Sequence, residues 1–470
     1  MGKRNQSRPP QSTALLDGTL PTQLHHAMQW ALDARLFNDL RVHGNTTWTF
    51  PQFILLTLLW VWSDSPTLTT AFTHASRLCA QLIGTAVFKS YQGFIAALTT
   101  WTSPLIVRMW CCLHQRMERI ADTHWRIGGW LPLAVDGSRT TTPRTAANER
   151  SLCSPRYGQG RTAQSGKSRK NRRRRCKPLG QPVAPQVWLT LVWHMGMRMP
   201  WAWKCGPSYA SERHHFQELL QTQQFSEKTL FCADAGFVGY DLWRTLADRG
   251  HHFLIRVGGN VRLLKRLGGR RVHGDFVYCW PNAAARKKQP PVRLRLLTFQ
   301  SGRGTVFAVT NVLSAGDLSD TQAVQLYRAR WGVEVQFRTL KQTFGRSKLH
   351  SRTPEHAYVE LEWSLLGLGL IQLLTAAQQI PQGIGPERTS ISLAVQVFRD
   401  AISRGHPLRL SQALEEAVKD CYQRGGSKAA RYRPDNKDKP SAGQPELVNA
   451  TAEQRRNYRL LHDVEISLTA

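Results

Sequence analysis

Paired cysteine motifs, an amino-terminal apolar segment and long uncharged hydrophobic runs are all missing from this 470-residue chain. Its nine cysteines are odd in number and scattered, with no C-x-x-C pair. Neither a disulfide framework nor a zinc module is expected, and the chain reads as cytoplasmic with reduced thiols. The first twenty residues hold no apolar core, which argues against a secretory signal. Of two apolar runs, 53–62 is too short to cross a bilayer. The other, 361–377, carries Glu362, two glycines and Gln372. Both are expected to be buried core helices, and no membrane partner is expected. Acid is scarce too: 32 Asp+Glu against 63 Lys+Arg leaves +31. A chain that basic needs a polyanionic partner, with nucleic acid ahead of anionic membrane or acidic protein. With 41% hydrophobic residues the chain is no disordered polycation, and its length allows two to four domains.

The excess charge is concentrated. Residues 139–211 carry +14 and residues 259–319 carry +9. The first stretch contains GKSRKNRRRRCK (166–177), whose Arg172, Arg173, Arg174 and Arg175 have no apolar periodicity around them. Such a segment is a solvated loop, and a loop this basic reads as a phosphate contact. Apolar spacing near 3.6 makes residues 1–128 helical. Strand-like runs follow at 130–135, 186–195, 199–205, 229–233 and 252–257, with helices starting at Ser211 and Tyr240. Residues 259–319 show short strands and turn signals. Helical periodicity returns over 320–420, and pattern is lost after Arg424. The expected units are 1–128 (helical, DNA-end binding), 129–258 (first part of an α/β core, with a basic loop at 156–180), 259–319 (β-rich insertion), 320–424 (remainder of the core) and a flexible tail, 425–470.

Two aspartates close apolar strands, Asp136 in LPLAVDGS and Asp234 in TLFCADAGF. Reactive groups gather beyond strand ends in open α/β sheets, although Asp-Gly after a strand is more often a plain turn. A third acid changes the weighing. If residues 321–345 form one helix, Tyr327, Arg330, Glu334 and Lys341 share a sector of about 60° at 100° per residue, beside the apolar stripe. By itself, Arg330–Glu334 would be an ordinary i,i+4 ion pair.

The spacing Y-x2-R-x3-E-x6-K, together with Asp136-Gly137, Asp234-x-Gly236-Phe237 and about a hundred residues before Glu334, resembles bacterial insertion-sequence DDE transposases of the cut-and-paste branch. The resemblance covers roughly residues 130–360. It implies an α/β, ribonuclease-H-like catalytic core interrupted by a β-rich insertion, with N-terminal and C-terminal helices. It further implies that Asp136, Asp234 and Glu334 hold two Mg2+ or Mn2+ ions, Asp136 bridging both. Water and then a freed 3′-hydroxyl would attack, commonly through a hairpin at the element end. Tyr327, Arg330 and Lys341 would grip the flanking phosphates. The implied partners are DNA, as terminal inverted repeats and target, and a second copy of the chain in the DNA complex. Trp280 is a candidate to stack on a flipped base, though a packed strand tryptophan is the plainer reading. Two other readings compete: a ribonuclease-H-like nuclease or resolvase that only hydrolyses, and a non-catalytic domesticated DNA-binding protein. The first would not need the Tyr-Arg-Lys set, and the second would not need three intact acids.

Overall fold

The computed structural model describes residues 20–153, 184–267, 276–301, 304–404, 410–419 and 443–469. Four helices come first: α1 (Leu20–Ala31), α2 (Phe50–Trp62), α3 (Leu68–Ile83) and α4 (Tyr91–Ala121). Helix α2 starts in a capping box between Thr49 and Gln52, with Pro51 in its first turn. Ten of its thirteen residues are buried, which suits a helix apolar on every side.

The core follows: β1 (Leu131–Thr141), α5 (Ala146–Leu152), β2 (Gln186–His194), β3 (Met199–Pro207), α6 (Glu212–Thr222), β4 (Thr229–Ala233), α7 (Tyr240–Asp248) and β5 (His252–Val257). β1, β2 and β3 form an antiparallel meander, while β1, β4 and β5 run parallel. The resulting order, 3-2-1-4-5, is that of a ribonuclease-H-like sheet. After β5 the chain makes β6 (Arg262–Leu264), β7 (Phe276–Cys279), α8 (Asn282–Arg286), β8 (Val292–Ser301) and β9 (Gly304–Thr310). These strands are not a separate sheet. β9 pairs antiparallel with β5, and β8, β7 and β6 continue outward, so insertion and core share one sheet of nine strands, to which a tenth is added from the tail.

The chain then returns through α9 (Asp320–Ala329), α10 (Gly332–Arg338), a π turn (Thr339–Thr343) and α11 (Pro354–Gln379), followed by α12 (Ile391–Arg404) and α13 (Leu410–Glu415). Helix α11 contains the apolar run 361–377. It is long and apolar enough to cross a membrane, yet 94% of its most apolar window is buried in the fold. It packs on α4, α2 and β3. Trp62 donates to the Gly367 carbonyl at 3.1 Å, and Trp363 to the Thr102 hydroxyl at 2.8 Å. These links fix the N-terminal helices onto the core.

The tail departs from the sequence expectation. Residues 446–448 form β10, which pairs parallel with β6, and α14 (Ala452–Thr469) packs on α8. Strand addition at an open sheet edge satisfies backbone groups that β6 would otherwise expose. A three-residue strand has too short a pattern to be read from sequence.

Candidate active site

The last parallel rung between β1 and β4 pairs Val135 with Ala233. Asp136 and Asp234 come next on their strands, so backbones roughly 4.8 Å apart deliver the two carboxyls side by side. Beyond that rung β4 ends, and Asp234 caps a 3-10 turn by accepting from the Gly236 amide at 2.8 Å. β1 continues instead. Asp136 pairs with Leu191 and Gly137 with Thr190 on β2, so Asp136 lies mid-strand and Gly137 does not turn the chain. The ladder to β2 outweighs the turn preference of Asp-Gly.

Residues 321–345 are not the single helix that their periodicity predicts. Helix α9 ends at Ala329, and the Trp331, Val333 and Glu334 amides bond back only three residues. That tightening re-aims the chain into α10. Gly332 lies at the break, against the buried ring of Trp193 on β2. Helix α10 packs on β1, bringing Glu334 to the aspartates.

Arg330 reaches Glu334 at 3.3 Å and is nearly buried, its side chain only 11% exposed. Its Nε is buried without a hydrogen-bond partner. Burial works against the Arg330 charge, but Tyr327, Asp136, Asp234 and Glu334 outweigh it and raise the guanidinium's pKa. The Asp136 carboxyl is pushed up to about 6, first by burial and then by the charges of Asp234 and Glu334, against the Gly137 amide and Arg330. The guanidinium lies 5.5 Å from the centre of the Tyr327 ring, which itself meets Phe299 at 5.6 Å. Lys341, on the π turn, donates to the Ser138 hydroxyl at 2.7 Å, and burial lowers its pKa. All four signature residues thus gather around the middle of β1, at Asp136 and Ser138, though they reach it from a broken helix.

Sequence reasoning passed over one carboxylate. Glu212, the first residue of α6, has its carboxyl pushed up to about 7 by burial and then by Asp234 and Asp136. It had been subsumed in a helix start. The available signal was its type: in the basic stretch before it, 139–211, Glu149 is the sole acid. Arg256 on β5, also passed over, contributes to the field at Tyr327.

Trp280 is not presented to solvent. It is 2% exposed, its indole donates to the Gln289 carbonyl at 2.7 Å, and Tyr458 of α14 lies edge-on to it. The exposed tryptophan beside Glu334 is Trp331, at 50%. Arg172, Arg173, Arg174 and Arg175, with the rest of the basic loop, lie outside the described residues.

Among the described residues, no three His, Cys, Asp or Glu side chains already close on a single point. Each acid is turned toward a local donor: Asp136 toward the Gly137 amide, Asp234 toward the Gly236 amide, and Glu334 toward Arg330. The second oxygen of each has no hydrogen bond to a described residue.

Sheet order and acid placement together define a ribonuclease-H-like core. Residues 132–369, half of the chain, match the family model of the transposase DDE domain, and the chain belongs to that family. It is 28% identical over 284 residues to the transposase InsG for insertion sequence element IS4 of Escherichia coli (strain K12). That match spans 57% of this chain and 57% of the curated relative's length. A cryo-EM structure of the piggyBac transposase synaptic complex with hairpin DNA aligns over 87% of this chain and 85% of its own. Its identity is 12% and its TM-score 0.38, too distant to add to the assignment.

Proposed function

We propose that this chain is a DNA transposase that excises and reinserts an insertion sequence by phosphoryl transfer at Asp136, Asp234 and Glu334. The observation that carries this reading is the rung Val135–Ala233, which sets two aspartates side by side where the parallel sheet opens, with Glu334 in their electrostatic field. Family membership agrees with it.

The donor set fits hard divalent cations. It consists of carboxylate oxygens, each acid keeps one of them free, and the cation now facing all three is Arg330. Asp136, whose field contains the other two acids, would hold a pair of Mg2+ or Mn2+ ions together with Asp234 and Glu334. Bound there, the ions would supply activation of the attacking oxygen and stabilisation of the leaving one.

The chain's own residues position DNA. Arg330 offers a buried N–H with no partner, suited to a phosphate oxygen, and Tyr327 holds its guanidinium by a cation–π contact. Lys341 holds a charge beside Ser138, two residues past Asp136. Water attack would leave a free 3′-hydroxyl, and attack of that hydroxyl on the opposite strand would close a hairpin at the element end. Grip on the nicked strand makes the second attack effectively intramolecular. The basic loop would contact phosphates without reading sequence, and the N-terminal helices would bind the element ends. Two ends must be handled together, so two copies of the chain would act in the DNA complex. The test is incubation of the purified chain with labelled ends of its own element and Mg2+, resolved on a denaturing gel. Hairpin-ended products are expected. Nicked strands that never close would leave only a hydrolytic nuclease.

A further inference from the structure

Gly137 and Gly236, the glycines beside the two aspartates, share one neighbour, Glu212. A Cβ on Gly137 would lie 2.6 Å from Glu212 Oε2 and 2.8 Å from Trp188 Cζ2. A Cβ on Gly236 would lie 2.5 Å from Glu212 Oε1 and 2.9 Å from Asp234 Oδ1. The Glu212 carboxylate therefore occupies the space that side chains at both positions would fill. Its Oε1 flanks the same point as Asp234 Oδ1, and its Oε2 lies beside the vacant Cβ position of the residue after Asp136. Any side chain at 137 or 236 would push Glu212 away from the acids, whereas glycine lets it in.

Among the described residues, no hydrogen bond or ion pair accounts for where this carboxylate goes, although Arg139 and Arg213 both contribute to its field. Arg139 lies over the Trp188 ring at 4.5 Å, and Arg213 donates to the Val238 carbonyl at 2.7 Å. An acid in the first turn of a helix favours the helix dipole. That bland role asks only for proximity to the first N–H groups, and Ser211 already accepts from one of them. Reaching in between two glycines toward two like charges is unfavourable unless a cation is shared.

We propose that Glu212 is a fourth carboxylate ligand of the divalent-cation site, sharing an ion with Asp136 and Asp234. This rests on the reading of those aspartates as cation ligands. Glu212 approaches from the side of the sheet's opening occupied by α6, while Glu334 comes from α10. Glu212 would then add a fourth carboxylate to the donor set, as a cation of high oxygen coordination favours.

Manganese binding to the full-length chain without DNA, read from the EPR signal of free Mn2+, tests this apart from activity. It is measured for the parent, Glu212→Gln, Glu212→Ala and Asp136→Asn, each below its melting temperature in EDTA. Glu212→Gln and Glu212→Ala should both weaken binding by about tenfold or more, comparable to the cost of losing a partner at a metal site. The rise in melting temperature that Mn2+ confers should shrink with it. Weakened binding in Asp136→Asn alone would overturn the Glu212 assignment and leave the three-acid site standing. Unchanged binding in all three variants would overturn the acid site itself, and Glu212 with it.

Discussion

Replacing Gly332 by alanine would place a methyl group against the ring of Trp193, 2.6 Å from Cζ3 and 3.1 Å from Cζ2, with Cη2 nearer still. The indole cannot retreat: it is 2% exposed and sits on β2, the partner of the strand carrying Asp136. Helix α10 must lift instead, and Glu334 moves with it. Alanine gains roughly 0.8–1 kcal/mol over glycine in a helix, while overpacking costs roughly 1–3 kcal/mol, so net destabilisation should be about 0–2 kcal/mol. Activity should fall far more, since about 1 Å of displacement at a reacting centre can cost ~10²-fold. The ring atoms in the way belong to the benzo portion, which phenylalanine lacks, and the Trp193 indole N–H has no hydrogen-bond partner to lose. Trp193→Phe should therefore restore nicking to Gly332→Ala, although alone it opens a cavity. Single-turnover nicking of labelled DNA, with thermal melts on the same four proteins, completes the cycle. Parental nicking by a folded Gly332→Ala, or no rescue in the double variant, would refute the claim that this contact sets Glu334.

Arg330→Ala or Lys341→Ala should permit first-strand nicking yet stall before hairpin closure, so nicked DNA accumulates on denaturing gels; equal slowing of both steps would count against a positioning role. Neutralising Arg172, Arg173, Arg174 and Arg175 should weaken binding about equally for cognate and random DNA and flatten the salt dependence, whereas lost specificity at an unchanged salt slope would make the loop a sequence reader. Burial holds His114 down at about 4, and burial with the charge of His114 holds His194 at about 3. Such groups stay neutral in the fold while the unfolded chain takes up protons below about pH 6.5, so stability present above that pH is lost as pH falls toward 4. The two histidines act in the same direction, so the loss is shared by the pair. Urea melts across pH 4–7 should show a shallower slope for His114→Phe, whose ring can keep the stack on Trp201.

The aspartates and Glu334 were legible because each depends on local pattern, an apolar strand ending in an acid or four polar residues at fixed spacing. The way they meet depends on sheet order, which topology rules for parallel crossovers already favoured. Other features rest on contacts distant in sequence. The break at 330–332 leaves the apolar period intact, and only Trp193, over a hundred residues away, explains Gly332. Gly137 and Gly236 resembled turn glycines because Glu212, which needs their space, belongs to another element. Trp280 was one of sixteen tryptophans, and its burial follows from β10 and α14 closing over the inserted strands, an arrangement with almost no local signal.

Asp136→Ala, Asp234→Ala and Glu334→Ala, assayed in parallel for binding to element ends and for cleavage in Mg2+, bear on the site as a whole. Each should lose detectable cleavage while binding the ends with an affinity close to the parent's, because a missing carboxylate unseats a cation without altering the basic surface. A folded Asp234→Ala protein that still cuts the element end would contradict the assignment.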